Sequence, residues 1–507
     1  MARSINIHED IRVTPASITH THIRGVGVAV FGCMLFAAAL SFFIFNNQSL
    51  RLDEAQSLWQ ASHSVRTIIS LVSADVHVPL YHVLLHGWEL IWGNSVSTAR
   101  MLSLAFFLLS IPALYRLGSY VYNERVGLYA TLLLTLSPFV NWYGNEIRMY
   151  SLFTLLTILH QYFFVRIVRN HLQEKQTGVW IGYVTTAILG MYTHYFFNFI
   201  FITQIVFVLF HLKLFPRATI YRFVRAGCIA ILAFLPWVAL VVQSGTMNAQ
   251  APQLMPPSSV NVFNTFSQFL FGFQDDHINT ILVSLWPLSL LLVFWTLQKH
   301  KTVSTETIYF IMAILIPIAG AFVVSVLVRP LFLSRYLILT LPAVYLVLSW
   351  IFSVYPRRLR YVAQTILALL MIVTLGIESI SAETPIKEDY RAASGYLTTY
   401  AGPGDIILIT APFTIYPIEY YYRGSASLDT MPHWDRFKTG PIPSYSDDAL
   451  GKEVERLKSN YQRLWILFSY DQGYEDKAKL YLDTHLEKKD QKIFSPSLEL
   501  RAYQLQY

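Results

Sequence analysis

Charge is what this sequence has least of. Of its 507 residues, 14% are Asp, Glu, Lys or Arg, against about a quarter in an ordinary soluble domain. With 54% apolar residues and a mean hydropathy of +0.43, the shortage argues against a soluble enzyme and against a disordered chain. Carboxylates are scarcest in residues 1–380, which hold 13 of the 31 acids but 23 of the 38 bases. That part is therefore +10, and residues 381–507 are −3. Cysteine is nearly absent as well. Cys33 and Cys228 both lie inside apolar runs, which leaves no disulfide framework and no thiolate metal site in the polar part. The net charge of +7 does not point to nucleic acid, because the basic excess sits between apolar segments, where membrane topology accounts for it.

What is abundant is long apolar runs. A spanning helix needs about 20 residues, and eleven candidate runs lie near 26–45, 99–117, 126–143, 150–168, 179–193, 196–212, 226–243, 279–297, 308–328, 331–352 and 361–379. Two more, near 79–92 and 260–273, are too short and polar to cross, and are expected to lie on the membrane surface or re-enter it. About 25 polar residues precede the first run and no small-x-small cleavage pattern follows it, so this run reads as a retained anchor rather than a signal peptide.

The expected fold class is mainly α, a polytopic membrane protein of about eleven transmembrane helices, followed by a C-terminal α/β domain. The expected division is residues 1–380, with a first outer loop at about 46–98, and residues 381–507. Placing the N-terminus inside puts seventeen basic residues of the first part in inside segments, among them Arg3, Arg12, Lys175, Lys301 and Arg357, and six in outside segments: Arg51, Arg66, Arg100, Arg148, Arg329 and Arg335. The positive-inside rule therefore sets the orientation and places the tail outside after an odd number of spans. In the tail, residues 405–410 (DIILIT), 463–470 (RLWILFSY) and 498–506 (LELRAYQLQ) read as strands, and 387–400, 447–460 and 475–486 as helices.

Ionisable groups at a membrane edge are costly and are functional candidates. Four outer edges carry them. The first outer loop has Arg51-Leu52-Asp53-Glu54 and then Asp75-Val76-His77-Val78-Pro79-Leu80-Tyr81. The edge after the third span has Tyr143, Glu146, Arg148 and Tyr150. The edge after the fifth reads Tyr192-Thr193-His194-Tyr195, and the edge after the ninth contains Arg329, Arg335 and Tyr336. A carboxylate there can take a proton from an acceptor hydroxyl. Arginines there can hold a phosphate bidentately and stabilise the charge on a departing phosphate. The composite chemistry is group transfer from a lipid-phosphate carrier. Asp53, Glu54, Asp75 and His77 are also hard ligands that could take a divalent metal, although their spacing does not force one.

These motifs resemble those of the integral-membrane GT-C glycosyltransferases. The matching pieces, in chain order, are DEA at 53–55, DVHVPLYHVLLHGW at 75–88, RLG at 116–118, RVGLYATLLLTLSPF at 125–139, YGNEIRMY at 143–150, YTHY at 192–195 and RPLFLSRYLILTLPA at 329–343. KEDYRAA at 387–393 with GPGD at 402–405 resembles the opening of the family's outer domain. The likeness is strongest to the bacterial branch that contains the protein O-mannosyltransferase, the aminoarabinose transferase and the RgtA/B/C/D-like mannosyl- and galacturonosyltransferases.

The resemblance implies inverting transfer of a sugar from a polyprenyl-phosphate donor to an extracytoplasmic acceptor (lipid, glycan or protein) at the cell (inner) membrane. It implies Asp53 as general base, with Glu54 and Glu146 as further catalytic acids. Arg148, Arg335 and His194 are expected on the donor phosphate, and Asp75, His77, Tyr81, Tyr143 and Tyr150 against substrate. Where many members have a second proline before Pro79, this chain has Val78. Two other function classes share some of these features. A transporter or flippase for lipid-linked glycans would also have many spans, but with polar groups at broken midplane helices rather than at one edge. A scaffold whose tail binds a partner would not concentrate its charged candidates in the membrane part. The tail has no G-x-G-x-x-G or Walker loop, so a nucleotide-binding role has no support.

Overall fold

Every one of the eleven apolar runs is helical in the computed structural model, which describes residues 20–172, 176–245, 254–284, 286–299, 303–381, 383, 385–437, 443 and 445–506. Arg3, Arg12, Lys175 and Lys301 lie outside the described residues. Among the described residues, seven helices are long and apolar enough to cross a membrane: Gly25–Phe45, Val96–Val121, Tyr150–Arg169, Arg217–Gln243, Thr305–Leu327, Ser334–Val354 and Arg357–Ile380. The other four expected spans are shorter or broken. Thr177–Met191 has 15 residues and Asn198–Phe210 has 13. The run at 279–297 falls on Asp276–Ser284 and Trp286–Lys299. The run at 126–143 divides into Glu124–Leu136 and Pro138–Gly144. The break there is local chemistry: Ser137 leaves helical geometry, its hydroxyl accepts the Val140 amide at 3.1 Å, and Pro138 opens the next helix at a position that needs no amide donor. The runs at 79–92 and 260–273 are the 13-residue helices Leu80–Trp92 and Ser259–Phe271.

Side-chain caps start the long helices: Ser95 accepts the Thr98 amide, Asn123 that of Val126 and Ser304 that of Thr307. The RLG and RVG pieces have a packing cause. A β-carbon on Gly118 would meet the Gly127 Cα at 2.7 Å, so the helices on either side of residue 122 touch backbone to backbone. Helices Val96–Val121 and Tyr150–Arg169 run parallel. Ser103 donates to the Arg148 carbonyl at one end, and Arg169 to the Val121 carbonyl at the other.

The C-terminal part is a five-stranded sheet in the order β2-β1-β3-β5-β4, with β1 Asp405–Ile409, β2 Ser427–Thr430, β3 Arg463–Ser469, β4 Glu487–Ser495 and β5 Leu498–Gln504. β2, β1 and β3 are parallel, and β5 and β4 antiparallel. Alternation sends Ile407, Ile409, Trp465 and Leu467 to one face, with Leu397 of helix Tyr390–Tyr400. It sends Ile406, Leu408, Leu464 and Ile466 to the other, with Val454 and Leu482. All three expected strands and all three expected helices are present. The missed β4 (EKKDQKIFS) is a mostly exposed edge strand whose charges hide any apolar alternation.

Candidate active site

The four edges meet. Asp53 lies on the first turn of helix Leu52–Ala61, and its Oδ2 is 3.2 Å from Nη1 of Arg335, which opens a 3-10 stretch at Ser334–Thr340. These are the two most open charges of the cluster, about a third exposed each. Behind Asp53 stands Arg148, buried, whose Nη1 donates to the Asp53 carbonyl at 3.4 Å and the Ser57 hydroxyl at 3.3 Å. Its Nη2 donates to Nε2 of His77. That bond leaves the imidazole proton on Nδ1, which faces Asp75 Oδ2 at 3.1 Å. Gln56 and Gln60 donate to the same Asp75 oxygen at 2.9 and 3.2 Å. Burial alone would raise the Asp53 pKa, but the charges of Arg148 and Arg335, with His77, outweigh it and hold the carboxyl below its ordinary value. For Asp75 burial is likewise outweighed, by His77 and the Val76 amide.

Glu54 points elsewhere, because neighbours on a helix project about 100° apart. It is fully buried and saturated. Arg100 donates to it through Nε at 2.8 Å and Nη2 at 2.6 Å, and the amides of Arg51 and Ile147 donate at 2.9 and 3.1 Å. The expectation that Glu54 shares in catalysis is therefore corrected: it has no free lone pair facing the site, and it ties the first loop to the turn after Gly144. Tyr81 is corrected in the same way. It is buried, and its hydroxyl lies 2.7 Å from that of Ser103, which in turn donates to the Arg148 carbonyl.

Glu146 is buried beneath Arg51, 3.8 Å from Nη1, and its Oε2 has no hydrogen-bond partner. Arg51 lies over the Trp142 ring at 3.3 Å. Burial pushes the Glu146 carboxyl up to about 7, and Arg51 does not fully offset it. His194 is stacked on Phe153 at 4.8 Å and its Nδ1 accepts the Phe196 amide. Burial, then the charges of Arg148 and Arg335, lower it to about 3, so it stays neutral with one N–H to offer. Tyr143 and Tyr150 pack edge to face at 4.8 Å, almost wholly buried, beside it. The possible hard ligands do not converge, since Glu54 is held by Arg100 and Asp75 by His77. Among the described residues no three His, Cys, Asp or Glu side chains form a group that could hold a metal ion.

The sequence named Arg51 and Arg100 as outer-side charges but gave them no part in the site, and it did not single out His82, Glu378, Glu388 or Tyr470. His82 is buried beside His77, at 6.2 Å between rings, and is pushed down to about 3 by burial, with the Arg148 charge adding to it. Glu378, near the end of helix Arg357–Ile380, accepts the Phe273 amide at 2.8 Å. The KEDYRAA piece fastens the C-terminal sheet to the first loop. Lys387 donates to the carbonyls of Glu378, Ser379 and Ser381, Asp389 caps the next helix at Ala392, and Arg391 reaches the Gln48 carbonyl. Tyr421 accepts the Leu50 amide at 3.0 Å from the same side. Glu388 and Tyr470 lie within electrostatic reach of each other and of Asp53. Tyr470 holds φ +53°, a left-handed conformation that is uncommon for a bulky residue. A tyrosine at positive φ leaves no trace in a sequence, but the KEDYRAA piece was the signal for the fastening.

Residues 76–239 match the family of dolichyl-phosphate-mannose-protein mannosyltransferases. No curated protein matches the chain by sequence. Among solved structures it is similar to ArnT from Cupriavidus metallidurans in the apo state, at 12% identity and TM-score 0.63, covering 94% of this chain and 98% of that one. It is similar to the same protein bound to undecaprenyl phosphate, at 12% identity and TM-score 0.60, over 93% and 97%. A third is the archaeal oligosaccharyltransferase AglB from Archaeoglobus fulgidus, in complex with an inhibitory peptide and a dolichol-phosphate, at 11% identity and TM-score 0.51, over 88% and 70%. With that likeness along nearly its whole length and the family match across its centre, this multi-pass membrane protein has the GT-C glycosyltransferase fold.

Proposed function

We propose that the chain transfers a sugar from a polyprenyl-phosphate donor to an acceptor on the outer side of the membrane, with inversion and with Asp53 as the general base. The observation that carries this reading is the Asp53–Arg335 pair: a carboxylate and a guanidinium from opposite ends of the bundle sequence, 3.2 Å apart, half-open, with Arg148 behind them. Both ArnT bound to undecaprenyl phosphate and AglB with dolichol-phosphate support the donor class.

In this reaction the donor phosphate takes Arg335. The acceptor oxygen attacks the anomeric carbon from the face opposite the phosphate, the bond from that carbon to the phosphate oxygen breaks, and the phosphate leaves with the electron pair. The acceptor proton passes to Asp53. Arg335 then has the phosphate as partner, which frees the carboxylate from its ion pair and raises its basicity as the acceptor arrives. Arg148, buried with both terminal nitrogens engaged, contributes charge and position rather than a direct phosphate contact. His194 offers one neutral N–H beside the arginines. Glu146 and Arg51 form the buried floor, and Asp75 orients His77 and through it Arg148. The acceptor enters against the C-terminal sheet, past Glu388 and Tyr470, on the outer face that the charge pattern predicts for residues 381–507.

The test is Asp53→Asn in purified, detergent-solubilised protein, assayed for release of free polyprenyl phosphate from a lipid-linked sugar. Loss of a general base lowers turnover by about 10²–10⁴-fold. Wild-type turnover by this variant would remove Asp53 from the mechanism.

A further inference from the structure

The end of the bundle opposite Asp53 holds a cavity of about 1140 Å³, bounded by helices His20–Asn47, Glu124–Leu136, Leu341–Val354 and Arg357–Ile380. Its volume is at the upper end of what a drug-sized ligand fills. The mouth carries Asn123, Arg125, Arg360 and Gln364, and the walls are Phe36, Leu132, Leu136, Ala368 and Ile372. From Arg360 to Ile372 the last helix rises about 18 Å, close to half of the roughly 30 Å hydrocarbon thickness. The groove is therefore one leaflet deep, basic at the surface and apolar below. Ser349 lies in its wall, and the Ser349 hydroxyl is buried without a hydrogen-bond partner, so the site contains a polar atom that the protein itself leaves unsatisfied. Arg360 is steadied over the Tyr361 ring at 5.1 Å. Glu124 at the mouth opposes an anion, but Arg125 and Arg360 outnumber it, and Arg357 and Arg358 open the same helix.

We propose that this groove binds a glycerophospholipid with an anionic headgroup from the surrounding bilayer, its phosphate on Arg125 and Arg360 and one acyl chain along Phe36, Leu132 and Ile372. Basic pockets between spans are recognised by such headgroups through charge, and a zwitterionic lipid would gain less from two arginines. The groove opens at the end of the helices away from Arg335, so it is a site separate from the one assigned to the donor.

The experiment is native mass spectrometry of the full chain after exchange into equimolar phosphatidylglycerol and phosphatidylcholine, which reads lipid retention without activity and so stands apart from the glycosyltransferase reading. The wild type retains phosphatidylglycerol selectively. Arg125→Gln combined with Arg360→Gln lowers that selectivity about tenfold or more. Gly32→Leu keeps both arginines but fills the groove; a β-carbon at Gly32 meets nothing within 4 Å, so the variant folds while losing the retained lipid. Equal retention of the two lipids by the wild type, or unchanged selectivity in the double variant, overturns the proposal. Displacement of the bound lipid by stoichiometric undecaprenyl phosphate also overturns it, because the groove would then be a carrier site.

Discussion

An arginine–glutamate pair stands at each end of helix Val96–Val121, one formed by the helix's own Arg100 and the other by Arg169 and Glu306 of its neighbours, and the two are built differently. At its start Arg100 grips Glu54 with both side chains essentially unexposed, at 1% and 0%. At its end Arg169 donates to the Tyr120 and Val121 carbonyls and meets Glu306, with exposures of 32% and 15%. The buried pair belongs to the end where Asp53, Arg148 and Arg335 converge, and the exposed pair to the end with the lipid-facing groove. A charge removed from water must have its partner in place, so the first end is rigid by electrostatic necessity and the second tolerates change.

The contrast orders the expected effects. The largest is on chemistry: Asp53→Asn removes about 10²–10⁴ of turnover and lowers the melting temperature less than Glu54→Ala does, and an equal loss of stability in the two variants would break the separation between Asp53 and Glu54. Next is Glu54→Ala, which leaves Arg100 buried without its carboxylate and destabilises the fold by about 3–5 kcal/mol. Arg169→Ala at the other end costs about 1 kcal/mol, so thermal unfolding of the two variants side by side tests the comparison directly. Arg335→Lys keeps the charge but loses the planar fork; apparent donor affinity falls about tenfold while apparent acceptor affinity holds.

The remaining effect is in pH. The Glu146 carboxyl is raised to about 7 by burial, above its ordinary 4.5. The folded chain therefore keeps a proton that the unfolded chain has lost between those values, and wild-type stability is eroded as pH rises from 4.5 to 7. Glu146→Gln is expected to gain stability over the wild type across that window and to hold a constant advantage above it. An advantage independent of pH would show that Glu146 ionises normally.

The outer-edge candidates could be found in the sequence because ionisable residues are rare in the first 380 positions, and each cluster interrupts an apolar pattern. Asp53, His77, Arg148, His194 and Arg335, from four separate edges, come together in one place. Their division of labour was not legible. Asp53 and Glu54 are adjacent and chemically alike, and only the rotation of one helix separates an open carboxylate from a sealed one. Arg100 read as a charge flanking a span, since nothing in spacing pairs it with a residue so far upstream. Hydropathy averages across a helix break, as at Ser137-Pro138, so the sequence showed one continuous run where the chain forms two helices. In the tail, buried strands β1 and β3 announce themselves by continuous apolar runs, and the charged edge strand β4 does not.

Glu54 and Arg100 are separated by 46 positions. A ribosome adding about 5–20 residues per second delivers the arginine roughly 2–9 s after the glutamate. Through that interval the Glu54 carboxylate has no Arg100 to be buried against. Arrival of Arg100 is thus the earliest moment at which Asp53, one residue away, can be set in place, and the timing of synthesis is written into the distance between two side chains.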